Sequence, residues 1–396
     1  MTIKQSNINP AVIVSGAIPF AIWLSSFDSF VPGITIGDII LIISMILSSG
    51  YSLMNYDGRK EIRWIGLCVF FQLLISIIAL LNTDTVLIDS VIRRVVKLIL
   101  YIIAIRVLRN KVEINTAIRV FEKFLYIVIA GIIIQYGLFY IVGKPINVIK
   151  IPLLRYSENY FTDAFNYYFR PSSVFLEPSH LTQFTVPIII FELFRNDERK
   201  SLRKGMLFSL LCLLSTSGTA VVIVSIIWIG YVLYNSTESI KSFMKTVLIV
   251  IGIIVVVFLL YSNVSQIKFA IDRLSDTDSV VYTGRFSNGD YLTSRMSQLE
   301  KIIGVGFGNV DMTVYMNSVR YIFYTGGYSV IIIWLLLWLR LFFKENIIGK
   351  MVLICFLALC FSSRIFLSMG VFYYLLFSVL SNNITVYTEQ SSDGVS

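Results

Sequence analysis

Apolar runs long enough to cross a bilayer recur along this 396-residue chain from one end to the other. A helix spanning the hydrocarbon core needs about 20 mostly apolar residues. Hydrocarbon offers no water to backbone N–H and C=O groups, so a run of this kind must satisfy them internally as a helix. Composition agrees: 56% of residues are hydrophobic and 14% charged, against roughly 25% charged in soluble domains. Mean hydropathy is +0.79. The sequence therefore predicts an all-α, polytopic integral membrane protein.

About twelve apolar helices are expected, most of them near spanning length and the seventh and eighth short. They fall at 11–31, 36–54, 62–81, 87–108, 121–142, 178–194, 204–215, 219–234, 246–262, 320–342, 347–361 and 365–381. The first run has no clear small-residue cleavage site and more runs follow it, so it reads as a helix and not a cleaved signal peptide. The runs at 204–215 and 219–234 are separated only by Ser215-Thr216-Ser217-Gly218, which fits one broken helix or a tight helical hairpin.

Lysine and arginine in the connections predict orientation. With a cytoplasmic N-terminus, the inside segments hold Arg59, Lys60, Arg106, Arg109, Lys111, Arg199, Lys200, Lys241, Lys344 and Lys350, among others. The short outside connections are nearly free of basic residues, Arg364 being the exception. The even helix count returns the C-terminus to the cytoplasm. Two long connections, 143–177 and 263–319, fall outside. Loops of this length are usually functional or disordered, and their Tyr, Phe and Arg content is not a disordered composition. With no internal repeat and no separate soluble domain, residues 1–396 read as a single polytopic membrane domain.

The net charge of +9 does not point to nucleic acid, because basic residues punctuate the apolar runs and form no single patch. The lipid bilayer is the expected partner. Cys68, Cys212, Cys355 and Cys360 all lie in apolar segments without zinc spacing, and read as small core residues.

The densest polar patch closes the first long loop, from Arg170-Pro171-Ser172 to Glu177-Pro178-Ser179-His180. Pro178 suits the first turn of a helix, which puts Glu177 at that helix's N-terminus, where the dipole favours a carboxylate. A helix cap beside a surface arginine is the plain reading. The alternative is a site, since Arg, Glu and the sole histidine, His180, cluster beside the aromatic run Tyr160 to Phe169. Aromatic platforms with a few charged groups suit sugars, and also the membrane interface.

The second long loop carries Arg285, Arg295 and Gly304-Val305-Gly306-Phe307-Gly308. Alternate glycines permit a tight turn and close approach of backbone to a ligand. No strand–turn–helix unit surrounds them, so this is no dinucleotide fingerprint. A flexible turn is the plain reading, and the neighbouring arginines, with their bidentate forks, favour phosphate.

The helix at 87–108 holds Arg93, Arg94 and Lys97. At 1.5 Å per residue they lie about 9–15 Å from its outer end. Charges at such depth usually mark a pathway or site. Snorkelling, with Asp89 pairing Arg93, is the plain alternative.

The Arg170–His180 segment followed by an apolar helix resembles the lipid-linked repeat-unit polymerases of bacterial O-antigen and capsule (Wzy-type), relatives of the O-antigen ligases. Ser215-Thr216-Ser217-Gly218-Thr219 between two short helices resembles the family's Ser-Arg-Thr-Gly, without its arginine. Gly284-Arg285 and the spacing of Arg295 to Gly306 are similar to its late loop. The resemblance covers the whole chain as topology and only short motifs as sequence. It implies an outer-face glycosyltransferase that moves a growing glycan from undecaprenyl diphosphate to the terminal sugar of a lipid-linked repeat unit. The undecaprenyl-diphosphate-linked oligosaccharide is the implied substrate, chain-length regulator and flippase proteins are implied partners, and no cofactor, metal or nucleotide sugar is needed. Asp276-Thr277-Asp278 has the spacing of a metal-bound nucleotide-sugar site, but nucleotide sugars are not expected outside. Arg170, Glu177, Arg285 and Arg295 are the implied catalytic residues. Arg93, Arg94, Lys97, His180, Gly304, Gly306 and Gly308 are the candidate substrate-binding residues. Residues 263–319 contain no histidine, which favours polymerase over ligase. The reading from a different class is a polysaccharide flippase or transporter; transporters often show repeated halves and interrupted midplane helices, whereas here the polar residues concentrate in two outside loops, which suits an enzyme.

Overall fold

A computed structural model describes residues 10–49, 60–83, 85–143, 145–152, 154–156, 169–195, 200–236, 251–252, 262, 289–311 and 314–392. Among these the chain is overwhelmingly helical. In order the helices are α1 Pro10–Leu24, α2 Ile36–Ser49, α3 Lys60–Leu81, α4 Ile88–Leu108, α5 Ile114–Val142, α6 Pro178–Phe194, α7 Leu202–Leu214, α8 Gly218–Ser236, α9 Gln298–Ile303, α10 Ser318–Lys344, α11 Ile347–Ser362 and α12 Gly370–Ser392. A 3-10 turn, Ile365–Leu367, precedes α12, and two short strands, β1 Phe27–Asp28 and β2 Arg155–Tyr156, pair antiparallel.

Among the described residues four helices are long and apolar enough to cross a membrane: Arg63–Leu81, Ile114–Val142, Gly218–Asn235 and Ser318–Lys344. Their outward faces carry large apolar side chains. Phe70, Ile133, Ile141, Leu336 and Phe343 are each at least 60% exposed. Single exposed apolar residues are ordinary on soluble proteins, but whole apolar faces are not. Hydrocarbon is the solvent that such faces fit.

The centre is built from α6 and α12. In α6 every residue except His180 and Gln183 is buried. Pro187 interrupts this helix, and a proline leaves the carbonyl four residues earlier without its N–H partner. That carbonyl belongs to Gln183, and the Tyr374 hydroxyl of α12 donates to it at 3.0 Å. Tyr373 likewise donates to the Phe184 carbonyl at 2.9 Å. Phe121, Phe184, Tyr373 and Phe377 pack ring on ring around this seam.

Several boundaries follow local chemistry. Pro178 opens α6 behind an extended Glu177. Gly143 closes α5 in the left-handed conformation, φ 73°, with its N–H on the Phe139 carbonyl. Asn317 and Asn346 cap α10 and α11 through their side chains. Other boundaries differ from the apolar runs. The first helix stops at Leu24 and not at 31, because residues 27–28 pair with Arg155–Tyr156. The fifth begins at Ile114 and not at 121, because Ile114, Ala117 and Ile118 are buried in the core. Trp228 of α8 donates to the Ser209 hydroxyl of α7 at 3.0 Å. In one continuous helix those residues would lie about 28 Å apart, so α7 and α8 form a hairpin. The expected helix at 246–262 falls almost entirely outside the described residues. All four cysteines are buried, as the apolar runs require.

Candidate functional site

The Arg170–Glu177 segment is held by side chains from three places. The Asn147 side-chain oxygen accepts the Arg170 N–H at 2.7 Å, and its carbonyl accepts the Ser172 N–H at 2.9 Å. Gln135, fully buried in α5, accepts the Ser173 N–H at 2.8 Å. Trp23 of α1 donates to the Val174 carbonyl at 3.1 Å. Ser173 has a positive φ of 54°, which costs a non-glycine residue energy and persists where the surroundings over-determine it. Gly131 of α5 makes the room, since a Cβ there would overlap the Ser173 hydroxyl. The segment is thus rigid and buried, not a loose surface loop. Arg170 and Glu177 themselves are half-buried, and Ser179 donates to the Glu177 carboxylate at 2.9 Å.

Above α6 lies a cavity of about 270 Å³ where the end of α1, the start of α6 and the start of α12 meet. His180 lines it, together with Ser25, Ser26, Asp28, Gln183 and Ser368. Trp23, Phe175, Phe184, Tyr373 and Tyr374 supply its apolar walls.

The α4 cations stand at the same end of the bundle and divide by partner. Arg93 forms a two-point ion pair with Asp89, at 2.7 and 3.1 Å, as the snorkelling reading supposes. Lys97 reaches Asp38 of α2 at 3.4 Å. That carboxylate, only 1% exposed, also accepts the Tyr101 hydroxyl and the Thr35 N–H, each at 2.9 Å. Arg94 has no carboxylate among the described residues. Its guanidinium donates to the Tyr321 hydroxyl at 3.1 Å and lies over that ring. None of the three lines the cavity.

The glycines of the late loop form a buried strap across α3, α4 and α10. All three have positive φ: 75° at Gly304, 98° at Gly306 and 88° at Gly308. A Cβ would overlap Thr325 backbone at Gly304, Leu80 at Gly306 and Val91 backbone at Gly308. Their N–H groups donate to the Glu300 carbonyl, the Thr325 carbonyl and the Tyr321 hydroxyl. Protein groups therefore take the amides that a phosphate would need, and packing alone accounts for the glycines. The break in α10 at Gly327 belongs to the same arrangement, for a Cβ there would strike the backbone of Ile302 in α9.

Tyr321 thus joins Arg94 and Gly308, which are remote in sequence. Arg364 bears on the same phenol electrostatically, stacks on Tyr315 at 4.2 Å and donates to the Val314 carbonyl. Arg364 is absent from the residues singled out by motif. The signal that could have found it was its violation of the charge bias in the outside connections. Arg295 is exposed and stacks on Tyr291 at 4.1 Å. No described contact joins it to Arg170. Arg285 and Asp276-Thr277-Asp278 lie outside the described residues, as does most of the aromatic run from Tyr160. No family model, curated protein or solved structure matches this chain.

Proposed function

We propose that this chain is an outer-face membrane glycosyltransferase that polymerises lipid-linked oligosaccharide repeat units. In this reading about twelve helices cross the membrane, both termini are cytoplasmic, and loops 143–177 and 263–319 face outward in a bacterial inner membrane. The observation that supports it most is the α1–α2 connection. This connection lends Ser25, Ser26 and Asp28 to the cavity. Its Gly33 lies against Arg93, and its Thr35 holds the Asp38 that binds Lys97. A polar–aromatic cavity and a group of half-buried cations therefore share one end of the bundle.

The chemistry assigns each a task. The bond between sugar C1 and the undecaprenyl diphosphate oxygen breaks, and a bond forms from C1 to an acceptor hydroxyl oxygen. The hydroxyl proton passes to Glu177 or to the departing diphosphate. Charge grows on that diphosphate, and preorganised cations lower the barrier most where charge develops. Arg94, which lacks a carboxylate partner among the described residues, is the best placed of the α4 cations. Arg170, Arg285 and Arg295 are the loop candidates.

Deleting the gene and separating the lipid-linked glycan by gel tests the reading. Loss of the ladder with single repeats retained is expected. Loss of all attachment to the final acceptor would mean a ligase, and loss of outside exposure a flippase.

A further inference from the structure

The geometry points to the cavity between α1, α6 and α12 as a subsite for one neutral sugar residue, with Asp28 reading its hydroxyls. Its volume of about 270 Å³ falls below the roughly 300–1,000 Å³ of sites that hold drug-sized ligands, and suits a single ring. Its chemistry eliminates the other ligands present at a membrane surface. None of the described residues lining it is lysine or arginine, and Asp28 adds negative charge, so a phosphate is repelled. The side chains of Ser26, Asp28 and Gln183 line it without a hydrogen-bond partner among the described residues, and an isoprenoid or acyl chain would leave them so. A sugar presents hydroxyls at its edges and C–H bonds on its faces. Ser25, Ser26, Gln183 and Ser368 match the first, and Trp23 and Phe175 the second.

Asp28 is fixed for this task by its strand. Phe27 is fully buried while Asp28 is exposed, the alternation that strand geometry imposes. Pairing of Asp28 with Arg155 in β2 and its bridge to Thr35 hold the backbone. The Asp28 carboxylate makes no hydrogen bond or ion pair among the described residues, so it is available to a ligand. The inference deepens the polymerase reading and rests on it only for the ligand's identity, the terminal sugar of a lipid-linked unit.

The test uses the full-length protein in membranes of its own host, with the host's lipid-linked glycan pool as the probe. The photo-crosslinker p-benzoylphenylalanine replaces Ser368, at the exposed rim, and in a control replaces Ile43, which is 50% exposed on α2. Irradiation should give a glycan-bearing adduct at position 368, its glycan released by mild acid, and phospholipid adducts at position 43. Asp28→Asn, at an exposed side chain, should leave the protein level unchanged and cut the glycan adduct about tenfold, the effect of one charged hydrogen bond. Ser26→Trp should abolish it by filling the cavity. Only phospholipid at position 368, or a glycan adduct indifferent to both substitutions, would overturn the proposal. The two readings fail separately. A glycan adduct with an unchanged ladder after gene deletion removes the polymerase and keeps the sugar site. A lost ladder without a glycan adduct does the reverse.

Discussion

Replacing Asp38 by asparagine tests whether Lys97 is a structural cation. Asp38 is 1% exposed and lies 3.4 Å from the Lys97 ammonium, whose side chain is 26% exposed. At an effective dielectric of about 20 the attraction at this distance is about 5 kcal/mol. Desolvation cancels much of that, and removing one partner of a buried pair typically costs about 3–5 kcal/mol. Lys97 can partly relieve its isolation by reaching toward water, which lowers the expected cost of Asp38→Asn to about 2–3 kcal/mol. The Tyr101 and Thr35 donors use different oxygens of Asp38. Asparagine offers one, so about 1 kcal/mol more is lost. Lys97→Met strands a buried carboxylate at a similar cost. The double variant removes both charges and should be more stable than the sum of the single effects predicts, by about 2 kcal/mol. Detergent-solubilised protein unfolded while tryptophan fluorescence is followed supplies all four corners of the cycle. Additive single effects, or single effects below about 0.5 kcal/mol, would refute the reasoning and return Lys97 to the ligand-binding candidates.

Arg94→Gln should abolish the polymer ladder while membrane protein level is kept, whereas Arg93→Gln, which breaks only an ion pair with a mostly exposed aspartate, should leave it nearly intact; equal effects on the gel would sink this division. Arg170→Ala and Arg285→Ala should each cut polymer output about 100- to 1,000-fold, the usual loss for one preorganised donor, and Arg→Lys should restore only part, because the charge survives and the fork does not. Gly308→Ala should cost about 2–4 kcal/mol from its positive φ and its collision with Val91, while Gly66→Ala, with nothing near its missing Cβ, should be neutral or stabilising in the same melt. A cysteine at exposed Phe30 should react with an impermeant thiol reagent in intact spheroplasts, and one at exposed Arg203 only after lysis; the opposite pattern would invert the topology.

What the sequence determined by itself is whatever depends on neighbours along the chain. Apolar runs dictate helices because hydrocarbon leaves the backbone no other partner, and Arg63–Leu81 and Ser318–Lys344 follow from that alone. Pro178 behind Glu177 marks the start of α6 by purely local sterics. Tertiary structure decided everything that needs a remote partner. The Ser215–Gly218 junction became a hairpin through a Trp228–Ser209 bond that no local pattern encodes. Three cations on one helix looked alike in sequence, and were separated only when packing brought Asp38 to Lys97 and Tyr321 to Arg94. Gly304, Gly306 and Gly308 signal close approach in either setting, and only the packed neighbours, Thr325, Leu80 and Val91, say that protein and not ligand approaches. The cavity draws its lining from three helix ends, of which only the start of α6 is distinctive in the sequence. Periodicity and hydropathy report the solvent that a segment meets, while the counter-group of a charge or the neighbour of a glycine is set by how helices pack, which is a property of the whole chain.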